Sequence, residues 1–139
     1  MAEFKFFHTL EVRYADIDSL NHVNNAAYFT YMEQARVRYL QAVGIWDSTR
    51  PERGGIILAD EACTFIEPVT FGQMIKVGVA ATRLGNKSFD LEYSLVDEAT
   101  GREVARGRSV QVAYDYAVRR SVKLPESWRE AITRFEGNA

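Results

Sequence analysis

A polar turn just before a mostly apolar segment with helical spacing carries the side chains best suited to chemistry. Its residues are Asp16, Asp18, His22, Asn24 and Asn25. Asparagine, aspartate and serine commonly cap helix N-termini, and capping alone would explain any one of them. Together they set carboxylates beside helix N-terminal amides, which have no partners inside the helix. The turn is therefore a candidate reaction site.

This combination of groups suits attack on an acyl carbonyl. Helix N-terminal N–H groups can stabilise the developing oxyanion while a carboxylate acts as nucleophile or general base. A thioester is the most economical substrate, because its thiol leaving group, with a pKa of about 8.5, departs without a strong general acid. One carboxylate and one oxyanion hole would be enough, so no serine-histidine-acid triad is required.

Hydrophobic periodicity predicts the elements that hold this turn. In residues 4–14 apolar and polar side chains alternate, which indicates a half-buried strand. From Ala26 the apolar residues recur at helical spacing, and Gly44 is suited to stop them, which predicts a helix of about five turns. Residues 45–58 hold a proline and a Gly-Gly pair and predict a connection. The inward face of the first strand would carry Phe4, Phe6, Leu10, Val12 and Tyr14.

The rest of the chain predicts further strands. Strand patterns cover residues 61–82, with Pro68 near a break, then 89–97 and 102–116, and a short helix follows Pro125. Small residues at alternate positions of the last long strand indicate that another element packs closely there; they are Ala105, Gly107, Ser109 and Ala113. The order of elements predicts an α+β fold, an antiparallel sheet laid over one long helix, as a single domain over residues 1–139.

Composition and charge exclude several classes of protein. Lysine and arginine total 17 against 19 acids, and the net charge of −2 predicts no nucleic-acid or anionic-membrane partner. No apolar run approaches the roughly 20 residues that span a bilayer. One cysteine and two histidines, far apart, show no metal-ligand spacing, so we expect no metal or cofactor. Without a recognisable leader at the N-terminus, a cytoplasmic location is the simplest expectation.

The segment YADIDSLNHVNNAAYFTYMEQAR at residues 14–36 resembles the signature of hotdog-fold acyl-CoA thioesterases of the 4-hydroxybenzoyl-CoA thioesterase type: an aromatic residue, D-x-D, G-H-V-N-N, a tyrosine and E-x-A-R. The segments EPVTFGQMIKV, RLGNKSFDLEYSL and YDYAVRRSVKLP are similar to further parts of the family, so the resemblance covers nearly the whole chain. One departure is Asn21 in place of the usual glycine; asparagine tolerates left-handed backbone better than most residues. Glu33 and Arg36 match E-x-A-R and could pair across one helical turn or contact another subunit.

The resemblance implies a fold and an assembly. The fold would be a hotdog, an antiparallel sheet wrapped around one long central α-helix. A second copy would pair with it, in a dimer or homotetramer, so that active sites form at the subunit interface.

The resemblance also implies roles for individual residues. Asp18, the second acid of D-x-D, would be the catalytic carboxylate, and Asp16 is the less suitable acid. The backbone N–H of Asn25, seven residues after Asp18, would be the oxyanion donor. His22 is a candidate general base, although it could equally bind the backbone of the turn. Tyr28 is expected in the core or lining the acyl pocket.

Coenzyme A carries several phosphate charges, so an acidic protein must collect cations locally to bind it. The segment RLGNKSF offers Arg83, Asn86, Lys87 and Ser88 around a Gly-Asn turn, and its KSF resembles the family's nucleotide-contacting residues. Arg120, in the segment similar to the family's closing part, is a further candidate. For each cation the alternative is an ordinary solvated surface charge.

These inferences predict an acyl-CoA thioesterase that releases a free acid and coenzyme A. Two alternatives stay open. A hydratase or dehydratase on the same scaffold would need His22 and could dispense with Asp18. A non-catalytic acyl-CoA binding module would hold its ligand without releasing thiol. The preferred acyl group is not predicted.

Overall fold

A long helix lies across one face of an antiparallel sheet in the computed structural model, which describes residues 3–46 and 55–137. The elements in chain order are β1 (Phe6–Glu11), a 3-10 turn (Tyr14–Asp16), α1 (Asn25–Val43), β2 (Gly55–Phe65), β3 (Met74–Leu84), β4 (Ser88–Asp97), β5 (Glu103–Asp115), β6 (Arg120–Ser121) and α2 (Glu126–Glu136). The predicted order of strand, long helix and consecutive strands is confirmed.

The sheet runs in the order β1-β3-β4-β5-β2, and the short β6 also pairs with β5. All these pairings are antiparallel, and β1 and β2 form the two edges. The prediction of a connection through residue 58 was wrong, because Gly55 to Leu58 already pair with β5. Pairing with this 13-residue neighbour outweighs the local breaker signal. Residues 47–54 of that predicted connection lie outside the described residues.

Helix α1 begins and ends where its capping residues place it. The Asn24 side chain accepts a hydrogen bond from the Ala26 amide at its start, and Gly44 adopts a left-handed φ of 95° at its end. Its buried side chains recur at helical spacing and face the sheet: Tyr28, Tyr31, Met32, Ala35 and Tyr39. The predicted helix and its stop are confirmed.

The helix and the sheet meet closely at Gly107 of β5. A Cβ atom on this glycine would lie 2.6 Å from Cε and 2.8 Å from Sδ of the buried Met32. Leu91 and Tyr93, on the neighbouring β4, are also fully buried. The prediction of a closely packed, small-residue face on the last long strand is therefore confirmed, and this contact seats α1 on the sheet.

A buried polar network crosses the same interface and corrects the expected pairing of Arg36. Its guanidinium lies 3.1 Å from a carboxylate oxygen of Glu61 on β2 and 3.1 Å from the Tyr93 hydroxyl. Glu33 is exposed. The pairing of Arg36 with Glu33 across one helical turn was wrong, because Arg36 lies on the sheet-facing side of the helix.

The end of the first strand also differs from expectation. Val12 is fully buried as predicted, but Tyr14 is 78% exposed. Strand β1 ends at Glu11, and the chain turns into the 3-10 turn, so the alternation no longer applies. Tyr14 instead meets Phe71 edge to face, with ring centroids 5.8 Å apart.

The C-terminal helix closes the far end of the core. Helix α2 starts directly after Pro125, as predicted, and ends at the buried Glu136. That carboxylate accepts hydrogen bonds from the Tyr39 hydroxyl and, at 3.0 Å, from the Ala81 amide. The register of β3 against β4 shifts just after Ala81, so the carboxylate satisfies an amide at an irregularity in the sheet. None of the helices in the described ranges is long and apolar enough to cross a membrane.

The Gly107 contact makes a measurable prediction. Gly107→Ala should lower the free energy of unfolding by about 1–3 kcal/mol, because the added methyl overlaps Met32. In a Met32→Ala background the two nearest atoms are gone and the Ala62 carbonyl oxygen, at 3.0 Å, remains close, so the same substitution should cost less. Urea denaturation of the four proteins gives the coupling energy. Additive effects, within about 0.5 kcal/mol, would contradict this account of how the helix is seated.

Candidate active site

The polar turn forms a closed loop between Ile17 and Val23, which pair through an isolated antiparallel bridge. The Asp18 amide donates to the His22 carbonyl at 2.9 Å, and the Asn21 amide donates to the Asp18 carbonyl at 3.1 Å. Asn21 has a φ of 66°, the left-handed conformation anticipated where the family has glycine. The loop is therefore held by its own backbone.

The Asp18 carboxylate is exposed but oriented. Its Oδ1 accepts hydrogen bonds from the Leu20 amide at 2.9 Å and from the His22 amide at 3.4 Å. Among the described residues, none donates to Oδ2. One oxygen therefore anchors the carboxylate while the other remains available to a substrate or a water molecule.

In the first turn of α1, one backbone amide has no hydrogen-bond acceptor among the described residues. The Ala26 amide donates to the Asn24 side chain and the Ala27 amide to the Asn24 carbonyl, both at 2.8 Å. The Asn24 amide donates to the Asp16 carbonyl, also at 2.8 Å. Within the part of the chain that the structure describes, the Asn25 amide has no such acceptor. It is thus free to bind an oxyanion at the positive end of the helix.

These groups open onto one cleft of about 490 Å³. Four of the predicted site residues line it: Asp18, His22, Asn25 and Tyr28. Phe65, at the end of β2, and the three residues that follow it also line the cleft. Tyr28 is 3% exposed and packs edge to face on Phe65, with ring centroids 5.0 Å apart. Burial, followed by the nearby Cys63, raises the pKa of the Tyr28 phenol, which stays protonated at neutral pH.

Sequence reasoning missed the apolar wall of this cleft. Phe65 and Ile66 are 41% and 43% exposed beside the polar turn, and Leu20 is 73% exposed. Such exposure of large apolar side chains around a concave polar site is typical of a ligand-binding surface. In the sequence, Phe65 and Ile66 sit inside a strand pattern and resemble core residues.

The two acids of the D-x-D motif lie in opposite environments. Asp16 is 5% exposed, and its carboxylate accepts hydrogen bonds from the Arg13 guanidinium at 2.9 Å and from the Tyr31 hydroxyl at 2.7 Å. Burial opposes ionisation, but the hydrogen bonds from Arg13 and Tyr31 outweigh it and hold the pKa of Asp16 below its usual range. Both of its oxygens are occupied, since Oδ2 also accepts the Arg13 amide at 3.0 Å.

Two other side chains that could act as nucleophile or base, those of His22 and Cys63, are less well placed than Asp18. The His22 carbonyl accepts the Asp18 amide, and the His22 amide donates to the Asp18 carboxylate. The residue is exposed at the rim of the cleft. Cys63 lies on β2 behind Tyr28. Burial, followed by the charge of Glu61, raises the pKa of the Cys63 thiol to about 11, so its reactive thiolate is scarce at neutral pH.

The predicted coenzyme A residues lie together around the β3–β4 turn. The Gly85 amide closes this turn on the Ser88 carbonyl at 2.7 Å, and the Asn86 carbonyl accepts the Leu124 amide at 3.0 Å. The Arg83 guanidinium forms two hydrogen bonds of 2.9 Å with Asp90, and a third, of 3.0 Å, with the Ser88 hydroxyl.

The remaining two predicted cations are solvent-facing. Lys87 and Arg120 are exposed, and their side chains form no salt bridge within the described residues. Arg120 reaches this region because β6 pairs with the end of β5. Lys87 on the turn and Arg120 on β6 therefore offer positive charge at the same end of the sheet.

One chain does not bring this turn to Asp18. The polar loop adjoins the start of β3, since the Val23 amide donates to the Val69 carbonyl and the Val12 amide to the Gln73 carbonyl. The turn follows the other end of β3, which runs from Met74 to Leu84. At about 3.3 Å per residue, that strand spans roughly 33 Å. The two halves of the predicted site thus lie at opposite ends of the sheet.

Residues 3–46 and 55–137 contain no group of three or more histidine, cysteine, aspartate or glutamate side chains arranged to hold a metal ion.

Comparison with known proteins places this arrangement in a family. The sequence pattern of the thioesterase-like superfamily matches residues 12–132. A thioesterase from Thermus thermophilus, solved in complex with coenzyme A and Zn, is 33% identical; the match covers 99% of this chain and 98% of that one, with a TM-score of 0.85. The protein SAV2348 from Staphylococcus aureus, solved in complex with CoA, is 22% identical over 99% of this chain and 89% of that one, with a TM-score of 0.86.

A curated relative also matches over most of the chain. YsmA, an uncharacterized protein from Bacillus subtilis (strain 168), is 22% identical over 129 residues, which are 93% of this chain and 86% of that protein. The structural matches confirm the hotdog fold. Because the superfamily pattern covers the polar loop, the central helix and the whole sheet from β2 to β6, this chain belongs to the thioesterase-like superfamily.

Proposed function

We propose that this protein is an acyl-CoA thioesterase of the 4-hydroxybenzoyl-CoA thioesterase type, which hydrolyses an acyl-CoA to a free carboxylic acid and coenzyme A. The observation that carries the proposal is the cleft in which an oriented carboxylate, Asp18, and an unpaired helix amide, that of Asn25, share one wall. The 33% identical relative solved with coenzyme A supports the class of ligand.

The chemistry follows from these two groups. The thioester carbonyl oxygen binds the Asn25 amide, where the positive end of α1 stabilises the charge that develops in the tetrahedral intermediate. Oδ2 of Asp18 either attacks the carbonyl carbon, forming an acyl anhydride that water then opens, or takes a proton from an attacking water molecule. In both routes the carbon–sulfur bond breaks and coenzyme A leaves as the thiolate. Oδ1 stays bound to the loop amides and fixes the direction of the carboxylate.

The site needs a second chain if the β3–β4 turn binds the nucleotide of coenzyme A. The turn lies roughly 33 Å along β3 from the polar loop, farther than an extended pantetheine arm reaches. Strand β2 is an open edge. Its Phe65 end lines the cleft, and its Gly55 end lies at the same end of the sheet as the turn, with β5 between them. Antiparallel pairing of two β2 edges would set the turn of one copy beside the cleft of the other. We therefore propose a homo-oligomer, a dimer or a tetramer, with shared sites.

The first test replaces the carboxylate. Asp18→Asn should lower kcat for thiol release by at least about a hundredfold, because the amide can act neither as nucleophile nor as base. His22→Ala should keep most of the activity. The assay follows coenzyme A release with a disulfide-exchange chromophore on a panel of aliphatic and aromatic acyl-CoAs.

The matched control is Asp115→Asn. Asp115 accepts hydrogen bonds from the amides of Ala117 at 2.8 Å and Val118 at 3.4 Å, much as Asp18 does in its own loop. This variant therefore loses the same charge from the same kind of turn, and its kcat should stay near that of the wild type. Because Asp115 pairs with Arg120 across β5 and β6, the comparison with Asp18→Asn is made on kcat and not on KM. Equal activity of Asp18→Asn and wild type would disprove the mechanism. Tight coenzyme A binding without thiol release by the wild type would instead favour a binding module.

A second test asks whether two chains build one site. Homo-oligomers of Asp18→Asn should be inactive, and those of Lys87→Ala with Arg120→Ala should bind acyl-CoA weakly, with KM raised. Co-expressed mixed oligomers combine an intact cleft from one chain with an intact turn from the other, so they should regain wild-type KM at a fraction of the sites. Mixed oligomers no more active than the average of the two parents would show that each chain acts alone.

A further inference from the structure

The first acid of the D-x-D motif, Asp16, is buried, and the chemistry proposed above does not use it. Its carboxylate is bound by Arg13 on one side and by the Tyr31 hydroxyl on the other. A buried ion pair is weak evidence for stability, because apolar residues of similar volume often serve as well. What this carboxylate does is better judged from the groups to which it connects.

Asp16 touches helix α1 at two points. Its side chain binds Tyr31, in the second turn of the helix, and its backbone carbonyl accepts the amide of Asn24, the N-cap, at 2.8 Å. Its own amide donates to the Arg13 carbonyl at 3.0 Å, which closes the 3-10 turn. One residue thus ties the segment that leads to Asp18 to the beginning of the helix.

The second of these contacts lies one peptide group before the Asn25 amide. The Asn24 carbonyl and the Asn25 N–H belong to one planar, trans peptide group and point in opposite directions. The carbonyl points into the helix, where it accepts the Ala27 amide at 2.8 Å, so the Asn25 N–H points outward from the helix start. The preceding amide, that of Asn24, is held by Asp16. Asp16 thus fixes the peptide group on one side of the Asn24 Cα, and the Asn25 N–H belongs to the group on the other side.

We infer that Asp16, held by Arg13 and Tyr31, is a positioning residue that aims the Asn25 amide at the substrate oxygen. The inference rests on the proposed function, in which that amide binds the oxyanion. Oxyanion stabilisation requires donors placed in advance at the position that the charge will occupy. Asp16 supplies this placement without contacting the substrate, since its oxygens face Arg13 and Tyr31.

The same helix provides a matched control. Eight residues after Tyr31, Tyr39 donates its hydroxyl to the buried carboxylate of Glu136. Both tyrosines lie on the buried face of α1, and each binds a carboxylate from another segment. Glu136 contacts β3 through the Ala81 amide and has no bond to the helix start. Tyr31→Phe and Tyr39→Phe therefore remove the same kind of hydrogen bond at the two ends of one helix.

The experiment compares Tyr31→Phe, Asp16→Asn and Tyr39→Phe. The measurements are Tm, kcat and KM for thiol release from an acyl-CoA, and the amide ¹H–¹⁵N resonance of Asn25 together with its hydrogen-exchange rate. We expect the two phenylalanine variants to lose similar Tm. Only Tyr31→Phe should also lose kcat, by roughly tenfold to a hundredfold with little change in KM, because the donor is displaced. Asp16→Asn should lower kcat by a factor similar to that of Tyr31→Phe. Both variants should shift the amide resonance of Asn25.

The outcomes separate this inference from the proposed function. If the wild type releases thiol and Tyr31→Phe keeps the kcat of Tyr39→Phe, the inference is wrong and the proposed function stands. If the wild type releases no thiol from any acyl-CoA, the proposed function is wrong. The Asn25 resonance then tests whether Asp16 positions this amide: equal shifts in Tyr31→Phe and Tyr39→Phe would overturn the inference. Should Asp16→Asn fail to fold, Tyr31→Phe alone gives the answer.

Discussion

The first turn of α1 has more amide donors than acceptors, and the candidate site is built around this imbalance. Every helix start leaves amides without partners, and here Asn24 satisfies two of them, with its side chain and its carbonyl. Its own amide is satisfied by Asp16. The Asn25 amide is left over and faces the cleft. A capping arrangement that stabilises the helix therefore also leaves, among the described residues, the amide to which the proposed chemistry assigns the oxyanion.

The D-x-D motif shows how environment gives two identical side chains different exposure and different hydrogen bonds. Asp16 is enclosed by Arg13 and Tyr31 and keeps a lowered pKa despite its burial. Asp18, two residues on, sits in an exposed loop in which backbone amides hold one oxygen and leave the other uncommitted. The buried acid cannot meet a substrate because both of its oxygens are occupied, whereas the exposed acid keeps one oxygen free among the described residues.

Local signals in the sequence predicted the elements well, because here they agree with the tertiary packing. The alternation in β4, the helical spacing before Gly44 and the small residues of β5 each reflect a face that packs against the core. The errors arise where a distant partner decides the outcome. Arg36 pairs with Glu61 instead of the expected Glu33. Gly55, in the stretch predicted to be a connection, pairs with β5. The predicted burial of Tyr14 was wrong for a local reason: β1 ends at Glu11, three residues before the end of the predicted strand.

The candidate site could be predicted only where it is contiguous in sequence. Asp18, His22 and Asn25 lie within eight residues of one another, so a turn and a helix start bring them together without help from the rest of the fold. The apolar wall at Phe65 and Ile66 comes from a strand 40 residues later, and nothing local distinguishes it from core. The β3–β4 turn poses the opposite problem: its residues cluster as predicted, yet the length of β3 separates them from Asp18. An eleven-residue strand cannot bend back on itself, and this distance within one chain is the reason for proposing that the site is completed by a second copy.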